Sequence, residues 1–487
     1  MSIRFFNHLV MAVVAVSMMF LGCKKEETLS FDVPSDSIFI EVENPGDTGT
    51  AATSFRSHNI SAIDVVSVAK GWKVVDIDLK AKTITVKSPA EFDDGQERSG
   101  NISLTAYSPM GTKESATVYV AIVNKSDEVD YYDSPANCYI ACKAPARYLF
   151  NPMIGGTSTP LKTAYIEVIW QSIDGIIKYV DLQNGIGSFY IEALSQSDDA
   201  DIEGFEPGNA LLGAYDAEGN LIWTWHIWVT QTDPEQDTIT LNGATMMNRN
   251  LGADCNSAGS DDTQKIGRSY GMYYQWGRHT PIVGPHSWNF AANYDMVIYD
   301  ANGVESKLKY TESTAKTGTM EWAEANPVTM IKGNKDNAYD WLFAGHDDTL
   351  WSDSSKSEYD PCPAGWRLPD SSVFEGLTIS EYDDALMWQE AQKMYGWNLV
   401  DEASSYFFSA AGRRNYLDGR LDIVNDDATR PVPWSGYYWT ATSTADGMAK
   451  AMFFDLNSTT RTWNGFDAAR SMQRANAMPV RCIRYFM

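Results

Sequence analysis

The stretch Leu221-Ile-Trp-Thr-Trp-His-Ile-Trp-Val229 indicates the fold class, because its side chains alternate between two faces. A period of two residues predicts a β-strand. One face is apolar and the other is partly polar, so we expect the tryptophans to be buried; the alternative is an exposed platform for a sugar ring. The apolar face consists of Trp223, Trp225, Ile227 and Val229, and the other face of Thr224, His226 and Trp228.

His226 has no second histidine or carboxylate at ligand spacing around it. A single histidine in a strand is more often packed or hydrogen-bonded than bound to a metal. We therefore predict a structural role for His226.

The strand at 221–229 ends a β-rich segment, for which we predict a domain over residues 126–235. Further strands are predicted at Tyr139-Ile140 and at Ala164–Ile169. The segment starts with an acidic linker, Ser126 to about Asp133, and ends near Pro234.

Residues 35–125 form an earlier segment of short strands with period two and no convincing helix. Turn-forming residues separate the strands, as at Pro45-Gly46-Asp47 and Pro109-Met110-Gly111. This pattern predicts a β-sandwich. The residues predicted to face its core are Ile38, Ile40, Val42, Trp72, Val74, Ile84, Val86, Ile102, Leu104, Ala106, Val118, Val120 and Ile122.

Three motifs in this segment, Gly71–Val74, Ile84–Pro89 and Gly100–Leu104, resemble the immunoglobulin-like modules of Bacteroidetes surface proteins, the BACON type among them. The resemblance implies a spacer more than a binding domain. In the next segment, Ala136–Ile140 and Pro207–Ala210 are similar to sequences found in fimbrillin-like lipoproteins of the same lineage, as are residues 223–228. That resemblance implies a β-rich partner domain.

Residues 236–487 carry an ordered set of motifs, which closely resembles the Fibrobacter succinogenes major paralogous domain, a family related to C-type-lectin-like folds. The resemblance implies an α+β module with long irregular loops, and a disulfide between Cys362 and Cys482. The motifs are Met247–Ala253, Tyr270–Arg278, Asp360–Pro369, Gly436–Ser443 and Pro479–Ile483.

Two helices are predicted in this module. Asp370 is placed to cap a short helix after Pro369, and Ser380-Glu-Tyr-Asp383 resembles a capping box. The second helix would continue with apolar residues at helical spacing and end at Gly396.

The segments 412–437 and 457–471 are predicted to be loops that hold a ligand. They are rich in turn-formers and have no clean period, and long loops on a rigid scaffold often bind ligands. An exposed indole would give a sugar a flat apolar face, and polar neighbours would orient the sugar. The alternative is that the same indole packs the loop down. The candidate ligand-binding residues are Trp434, Asn464, Asp467, Arg470 and Arg413, with Arg414 as the alternative cation for an acidic sugar.

No metal or other cofactor is predicted. The lectin triplets that bind calcium are missing where expected, and Trp463-Asn464-Gly-Phe-Asp467 departs from them by an insertion. The alternative is a calcium site in the acidic loop that contains Asp422, Asn425, Asp426 and Asp427.

Catalysis is not predicted either, because the chain lacks HExxH, GxSxG and P-loop motifs. The module shares a Trp-Arg-Leu-Pro passage, starting at Trp366, with formylglycine-generating enzymes, but Cys362 and Cys482 look structural. A glycosidase remains the enzymatic alternative, since carboxylates are abundant.

The N-terminus resembles a bacterial lipoprotein signal. An apolar run of 13 residues from Leu9 to Leu21 is followed by Gly22-Cys23, too short for a membrane span but typical of a signal peptide. We predict a signal peptide at 1–22, lipidation of Cys23 and a tether at 23–34. Lys24-Lys-Glu-Glu27 resembles the tag that directs lipoproteins to the outer face of the outer membrane.

The composition excludes nucleic acid as a partner. The chain of 487 residues has a formal net charge of −26, which repels phosphate backbones. With Cys23 lipidated and Cys362 paired with Cys482, the pairing of the other three cysteines stays open: Cys138, Cys142 and Cys255.

Together these features predict a non-enzymatic lipoprotein, anchored in the outer membrane and exposed at the cell surface. Its lectin-like C-terminal module would bind a glycan or a protein, as an adhesin or as a fimbrial tip or accessory subunit among pilus subunits. The first alternative is a structural lipoprotein of the cell envelope. The second is an extracellular enzyme that processes glycans.

Overall fold

The structure is a computed structural model, and most of the chain is described in it. Cys23, the signal peptide and the predicted helix from Ser380 lie outside the described residues. None of the described helices is long and apolar enough to cross a membrane. The described residues are 28–33, 37–43, 46–89, 98–193, 204–285, 296–379, 396–401, 404–421, 435–455 and 466–486.

The chain forms two compact units, one mainly of residues up to Ile122 and one mainly of residues from Val123 onward; Ser37 and residues 41–43 belong to the second unit. The strands of the first unit form a sheet in the order β2-β9-β8-β5 and a second sheet in the order β3-β7-β6, while β1 pairs with β4. Its strands are β1 Ser30–Asp32, β2 Ser37–Val42, β3 Thr50–Ser54, β4 Arg56–His58, β5 Ala62–Ser67, β6 Lys73–Asp78, β7 Thr83–Lys87, β8 Ser99–Tyr107 and β9 Lys113–Asn124.

Alternating burial in these strands confirms the β-sandwich predicted for residues 35–125. In β7, Ile84 and Val86 are fully buried, whereas Thr83 and Thr85 are partly exposed. In β8, Ile102, Leu104 and Ala106 follow the same rule. These two strands therefore each contribute one apolar face, as the period of two in the sequence predicts.

The second unit contains Val123–Met487. Its first part forms a sheet in the order β10-β12-β17-β16 and a larger sheet in the order β11-β19-β18-β15-β23-β24. The strands are β10 Glu128–Asp130, β11 Cys138–Ala141, β12 Ala146–Phe150, β13 Ile154–Gly155, β14 Thr159–Pro160, β15 Tyr165–Gln171, β16 Tyr179–Gln183, β17 Ile186–Ile191, β18 Gly208–Tyr215, β19 Leu221–Val229, β20 Thr238–Leu241, β21 Ala244–Met247, β22 Tyr274–Gln275, β23 Ile298–Tyr299 and β24 Glu305–Ser306.

The rest of this unit contains shorter strands and long connections. Its main sheets have the orders β20-β21-β35-β27, β28-β29-β30 and β31-β32-β33. Its elements are α1 Thr263–Arg268, β25 Lys309–Glu312, α2 Met320–Ala325, β26 Thr329–Lys332, β27 Trp366–Arg367, β28 Thr378–Ile379, β29 Gly396–Val400, β30 Ser405–Ser409, β31 Ser435–Ser443, β32 Ala449–Asp455, β33 Phe466–Met472, β34 Ala477–Met478 and β35 Ile483–Arg484.

Strand β19 has a buried core on both of its faces. Trp223 and Trp225 belong to a core between the two sheets of the first part. Trp228, on the opposite face, belongs to a core formed mainly by residues after 236. The larger sheet also continues past residue 235, because Gln171 of β15 pairs with Tyr299 of β23. The sequence predicts a domain boundary at 235/236. In the structure, the residues on both sides of this boundary belong to one compact unit.

The described residues after 236 are mostly strands and loops. Helices α1 and α2 have six residues each. The helix predicted after Pro369 is a 3₁₀ turn at Ser371–Phe374, and the Asp370 side chain accepts a hydrogen bond from the Ser372 amide as the expected N-cap. The sheet β31-β32-β33 supports the candidate site, because cores cover both of its faces: Trp439 lies in one and Tyr438 in the other.

Candidate functional site

Three strands of one sheet bring the flanks of both predicted loops to the same end. β31 begins at Ser435, which pairs with Asp455 at the end of β32. β33 begins at Phe466, which pairs with Phe454. Segments 422–434 and 456–465 lie outside the described residues, but the residues on which they are anchored are adjacent.

The segment before the first loop reaches this end as well. Gly412 forms a parallel bridge with Gly436, and its amide donates a hydrogen bond of 2.8 Å to the carbonyl of Ser435. Arg414 forms an antiparallel bridge with Leu421, the last residue before segment 422–434. Residues 435–437 and 466–471 are thus strand residues and not parts of loops as predicted. Backbone pairing brings Gly412, the start of β31 and the start of β33 to one end of the sheet.

A row of stacked side chains runs across this end. The Arg413 guanidinium lies 4.8 Å from the centre of the Tyr437 ring. The rings of Tyr437 and Phe453 are 4.9 Å apart, and the Arg470 guanidinium lies 4.0 Å from the Phe453 ring. Asp467 pairs with Phe453 in the strand register. We call these five residues the strand-end surface.

The members of the strand-end surface differ in exposure. Tyr437 and Phe453 are buried, Arg413 is half-buried, and Asp467 and Arg470 are exposed. One carboxylate oxygen of Asp467 accepts a hydrogen bond of 3.0 Å from the Ala469 amide. The surface thus presents two cations and one carboxylate on an aromatic base fixed by the sheet.

Arg413, Asp467 and Arg470 are candidate residues from the sequence that the structure brings together. Trp434 and Asn464 lie outside the described residues, so their roles stay predictions. Sequence reasoning missed Tyr437 and Phe453 as stacking partners. Tyr437 belongs to a segment predicted to be a loop, and contact between the two rings depends on the strand register, which the sequence does not give.

Arg414, proposed above as the alternative cation for an acidic sugar, has a structural role instead. Its side chain is fully buried. The guanidinium donates hydrogen bonds to the carbonyls of Val283 at 2.8 Å, Gly284 at 3.3 Å and Gly419 at 3.3 Å. A group that satisfies several buried carbonyls is not available to a ligand, so this expectation was wrong.

Other buried arginines also donate hydrogen bonds inside the core. Arg278 donates to the carbonyls of Thr329 and Ala323. Arg481 donates to the Asn250 side chain at 3.0 Å, and burial lowers the pKa of its guanidinium to about 10. Among these carbonyls, those that Arg414 binds at Val283 and Gly284 are in an irregular segment, where a side-chain donor replaces strand pairing.

His226 is a structural residue, as predicted. One ring nitrogen lies 2.8 Å from the Asn209 side-chain oxygen and the other lies 3.0 Å from the Tyr274 hydroxyl. Burial lowers the pKa of His226 to about 3, so the ring is neutral at pH 7. Within the described ranges, no group of three or more His, Cys, Asp or Glu side chains is placed to hold a metal ion.

The tryptophans of β19 are buried, so they do not form an exposed sugar platform. Trp223 stacks on His279 with ring centres 4.5 Å apart, and its indole N–H donates to Asn137. The indole N–H of Trp228 donates a hydrogen bond of 3.1 Å to the carbonyl of Ala253. These contacts join segments on both sides of residue 235.

Cys362 and Cys482, the pair implied by the family resemblance, form a disulfide in the structure, with Cα atoms 5.9 Å apart. Cys138, Cys142 and Cys255 are free thiols. The carboxylate of Asp360 accepts hydrogen bonds from the amides of Cys362 at 2.8 Å and Leu368 at 2.9 Å. These two hydrogen bonds fix the loop that places Cys362 beside Cys482, near the end of the chain.

A separate cleft of about 490 Å³ is lined by residues that follow β15, begin β18 and form α1. Asp254 and Arg268 in its wall already lie 3.9 Å apart as an ion pair. Sequence reasoning gave no signal for this cleft. Its lining includes Ser172, Ile173, Glu206, Asn209, Tyr270 and Met272.

No protein-family model and no curated protein matches this sequence. Among solved structures, the D00-D0 domain of intimin is 12% identical and matches 41% of this chain and 96% of its own, with a TM-score of 0.18. The sialic acid binding region of a Streptococcus sanguinis adhesin is 11% identical over 24% of this chain and 35% of its own, with a TM-score of 0.17. The SGBP-B protein of the Bacteroides ovatus mixed-linkage glucan utilization locus is 12% identical over 39% of this chain and 42% of its own, with a TM-score of 0.11. Scores this low give no information about the function of this chain.

Proposed function

We propose that this protein is a non-enzymatic adhesin of the cell surface that binds a glycan at the strand-end surface. The observation that supports the proposal is the convergence of both loop flanks on one end of the sheet β31-β32-β33. Cores on both faces keep this sheet rigid, and a rigid sheet carrying loops is a common arrangement for ligand binding.

The side chains present fit recognition of a sugar. A carboxylate such as that of Asp467 accepts hydrogen bonds from sugar hydroxyls, and the arginines donate to sugar oxygens. Their positions are set by strand pairing and by aromatic stacking, which reduces the entropy lost on binding. We propose that the strand-end surface binds a ligand and does not convert it chemically.

The cell-surface location in this proposal depends on the N-terminal sequence. Lipidation of Cys23 would attach the chain to the outer membrane, with the first unit as a spacer between the membrane and the second unit. Several acyl chains anchor a protein stably, whereas one is marginal. Mass spectrometry of the mature protein from its native host tests this part, and an unmodified Cys23 would exclude it.

The binding proposal is tested on a glycan array with the chain from Lys24 onward, which lacks the signal peptide and Cys23. The test variant is Asp467→Asn. The matched control is Asp446→Asn, since Asp446 lies in the turn between β31 and β32, at the opposite end of the hairpin. We expect the wild type and the control to bind the same saccharide, and Asp467→Asn to bind at least about fivefold more weakly.

Equal binding by Asp467→Asn and the control would exclude the strand-end surface as the site. If the wild type binds no saccharide, the glycan proposal fails. Protease-sensitive binding of the same protein to whole host cells would then indicate a protein ligand, and no binding to cells would favour a structural lipoprotein.

A further inference from the structure

Arginines stacked on aromatic rings recur in the second unit, and most of them use their N–H groups inside the protein. Arg474 lies 4.2 Å from the Trp276 ring and contacts the Asp348 carboxylate. Arg484 lies 4.0 Å from the Trp366 ring and pairs with a carboxylate. Stacking uses the flat face of a guanidinium, so hydrogen bonding is left to the N–H groups in its plane.

Arg470 has the same stacking but a different environment. Its guanidinium lies 4.0 Å from the Phe453 ring, the same distance as for Arg484 and Trp366. Arg484 pairs with Glu235 at 3.1 Å. Arg470 is exposed, and none of the ion pairs among the side chains that the structure describes involves it.

The geometry at Arg470 suits an anionic group from outside the protein. The ring of Phe453 fixes the plane of the guanidinium, and a fixed guanidinium can donate two parallel hydrogen bonds to a carboxylate or a sulfate. Arg413 lies on the neighbouring Tyr437 ring, so a second cation is close to the same site. Asp467 beside them would accept hydrogen bonds from the hydroxyls of the same sugar, while the arginines contact its anionic group.

The negative charge of the rest of the protein restricts binding of an anionic ligand to this cationic site. With a formal net charge of −26, the chain repels polyanions at long range. Retention of an acidic polysaccharide therefore requires a local cationic site.

We propose that the ligand of the strand-end surface is a saccharide bearing carboxylate or sulfate groups, held by Arg470 together with Arg413. This inference rests on the proposed glycan binding and names the chemical class of the glycan. Stacking on Phe453 makes Arg470 a fixed anion receptor.

The probes are polygalacturonate for carboxylate, dextran sulfate for sulfate and unmodified dextran as the neutral polymer. Binding is measured for the chain from Lys24 onward with the variants Arg470→Gln, Arg470→Lys and the control Arg484→Gln. We expect at least one polyanion to bind, a loss of at least about tenfold in Arg470→Gln, and a smaller loss in Arg470→Lys, which keeps the charge but not the planar fork.

The control Arg484→Gln removes an arginine stacked at the same distance, and we expect it to bind like the wild type. Melting temperatures of all variants show whether a loss of binding reflects a loss of fold. Binding to neither polyanion overturns the inference, as does equal binding by Arg470→Gln and the wild type. If neutral saccharides on the array still bind, the proposed function stands and only the anionic class fails.

Discussion

The first unit and the part of the second unit after residue 236 stabilise their cores in different ways. In the first unit, residues such as Ile84 and Ile102 fill the core from regular strands. After residue 236, the core also contains fully buried arginines, Arg414 and Arg474 among them. The difference follows from backbone pairing, because paired strands satisfy their own N–H and C=O groups and irregular segments do not.

This comparison teaches where stability is most sensitive to substitution. A core of regular strands tolerates apolar exchanges of similar volume. A core with buried loop carbonyls depends on particular donors, because an unsatisfied buried carbonyl costs about 1–3 kcal/mol.

The largest effect is expected from cutting the chain at the boundary that the sequence suggests. An isolated fragment 236–487 would lose the apolar partners of its core on the larger sheet, including Trp170, Leu211 and Trp228. We expect this fragment to aggregate and to lack a cooperative transition, whereas fragment 123–487 unfolds cooperatively. Size-exclusion chromatography and thermal melts by circular dichroism distinguish the two.

A monomeric fragment 236–487 with a cooperative melt would show that residue 235/236 is an independent domain boundary. The comparison would then lie between three units. Contacts with β19 would then not be needed for the part after residue 236 to fold.

Reduction of the disulfide should come next in size. The bond between Cys362 and Cys482 spans 120 residues, and closing such a loop stabilises by about 4–5 kcal/mol in the chain-entropy model. The first unit contains no cysteine between residues 28 and 122, so a reductant should leave its strands unaffected. Hydrogen exchange with and without reductant should show faster exchange only in peptides of the second unit.

The buried histidines make the second unit sensitive to mild acid. Burial lowers the pKa values of His226 and His279 to about 3, against 6.5 when unfolded. Their contribution is fully present above pH 6.5 and is lost as the pH falls toward 3, because the unfolded chain binds the proton first. At pH 5 each should cost about 2 kcal/mol of stability.

Urea unfolding at pH 7 and pH 5 measures this loss. In His279→Gln the difference between the two pH values should be smaller by about 2 kcal/mol than in the wild type. The first unit provides the contrast, since its histidine, His58, is exposed. An unchanged difference in the variant would show that other groups cause the acid sensitivity.

The last prediction compares one substitution in each type of core, and the quantity tested is the difference between the two losses. Arg414→Met keeps a similar volume but removes the donor to the carbonyls of Val283 and Gly284. We expect a loss of about 3 kcal/mol, partly offset because a charge is no longer buried. Ile84→Leu in the first unit should cost under about 1.5 kcal/mol. Similar losses in urea unfolding would contradict the distinction between the two cores.

Much of the fold follows from local patterns in the sequence. The strands of the first unit, the strand 221–229 and the cap at Asp370 were all predictable, because each depends on residues that are close in the chain. The sharing of β19 between two cores was not predictable. Alternation shows that a strand has two faces but not which segment covers the second face.

The candidate site shows the same limit. Turn-formers and the lack of a clean period predicted loops at 412–437 and 457–471, but residues 435–437 and 466–471 are strand residues. The cleft beside α1 had no signal, because its lining comes from distant segments. The pairing of Tyr437 with Phe453 depends on the register of β31 and β32. A shift of one residue would turn these rings to the opposite face.

By itself the sequence determined the all-β character of the first unit, the candidate loops and the presence of two adjacent arginines at 413 and 414. Only the tertiary structure decided that Arg414 is buried on the carbonyls of Val283 and Gly284, while Arg413 lies on Tyr437. The two residues are chemically identical neighbours, so no local pattern separates them. Their roles differ because carbonyls about 130 residues away in the chain lie beside one guanidinium and not beside the other.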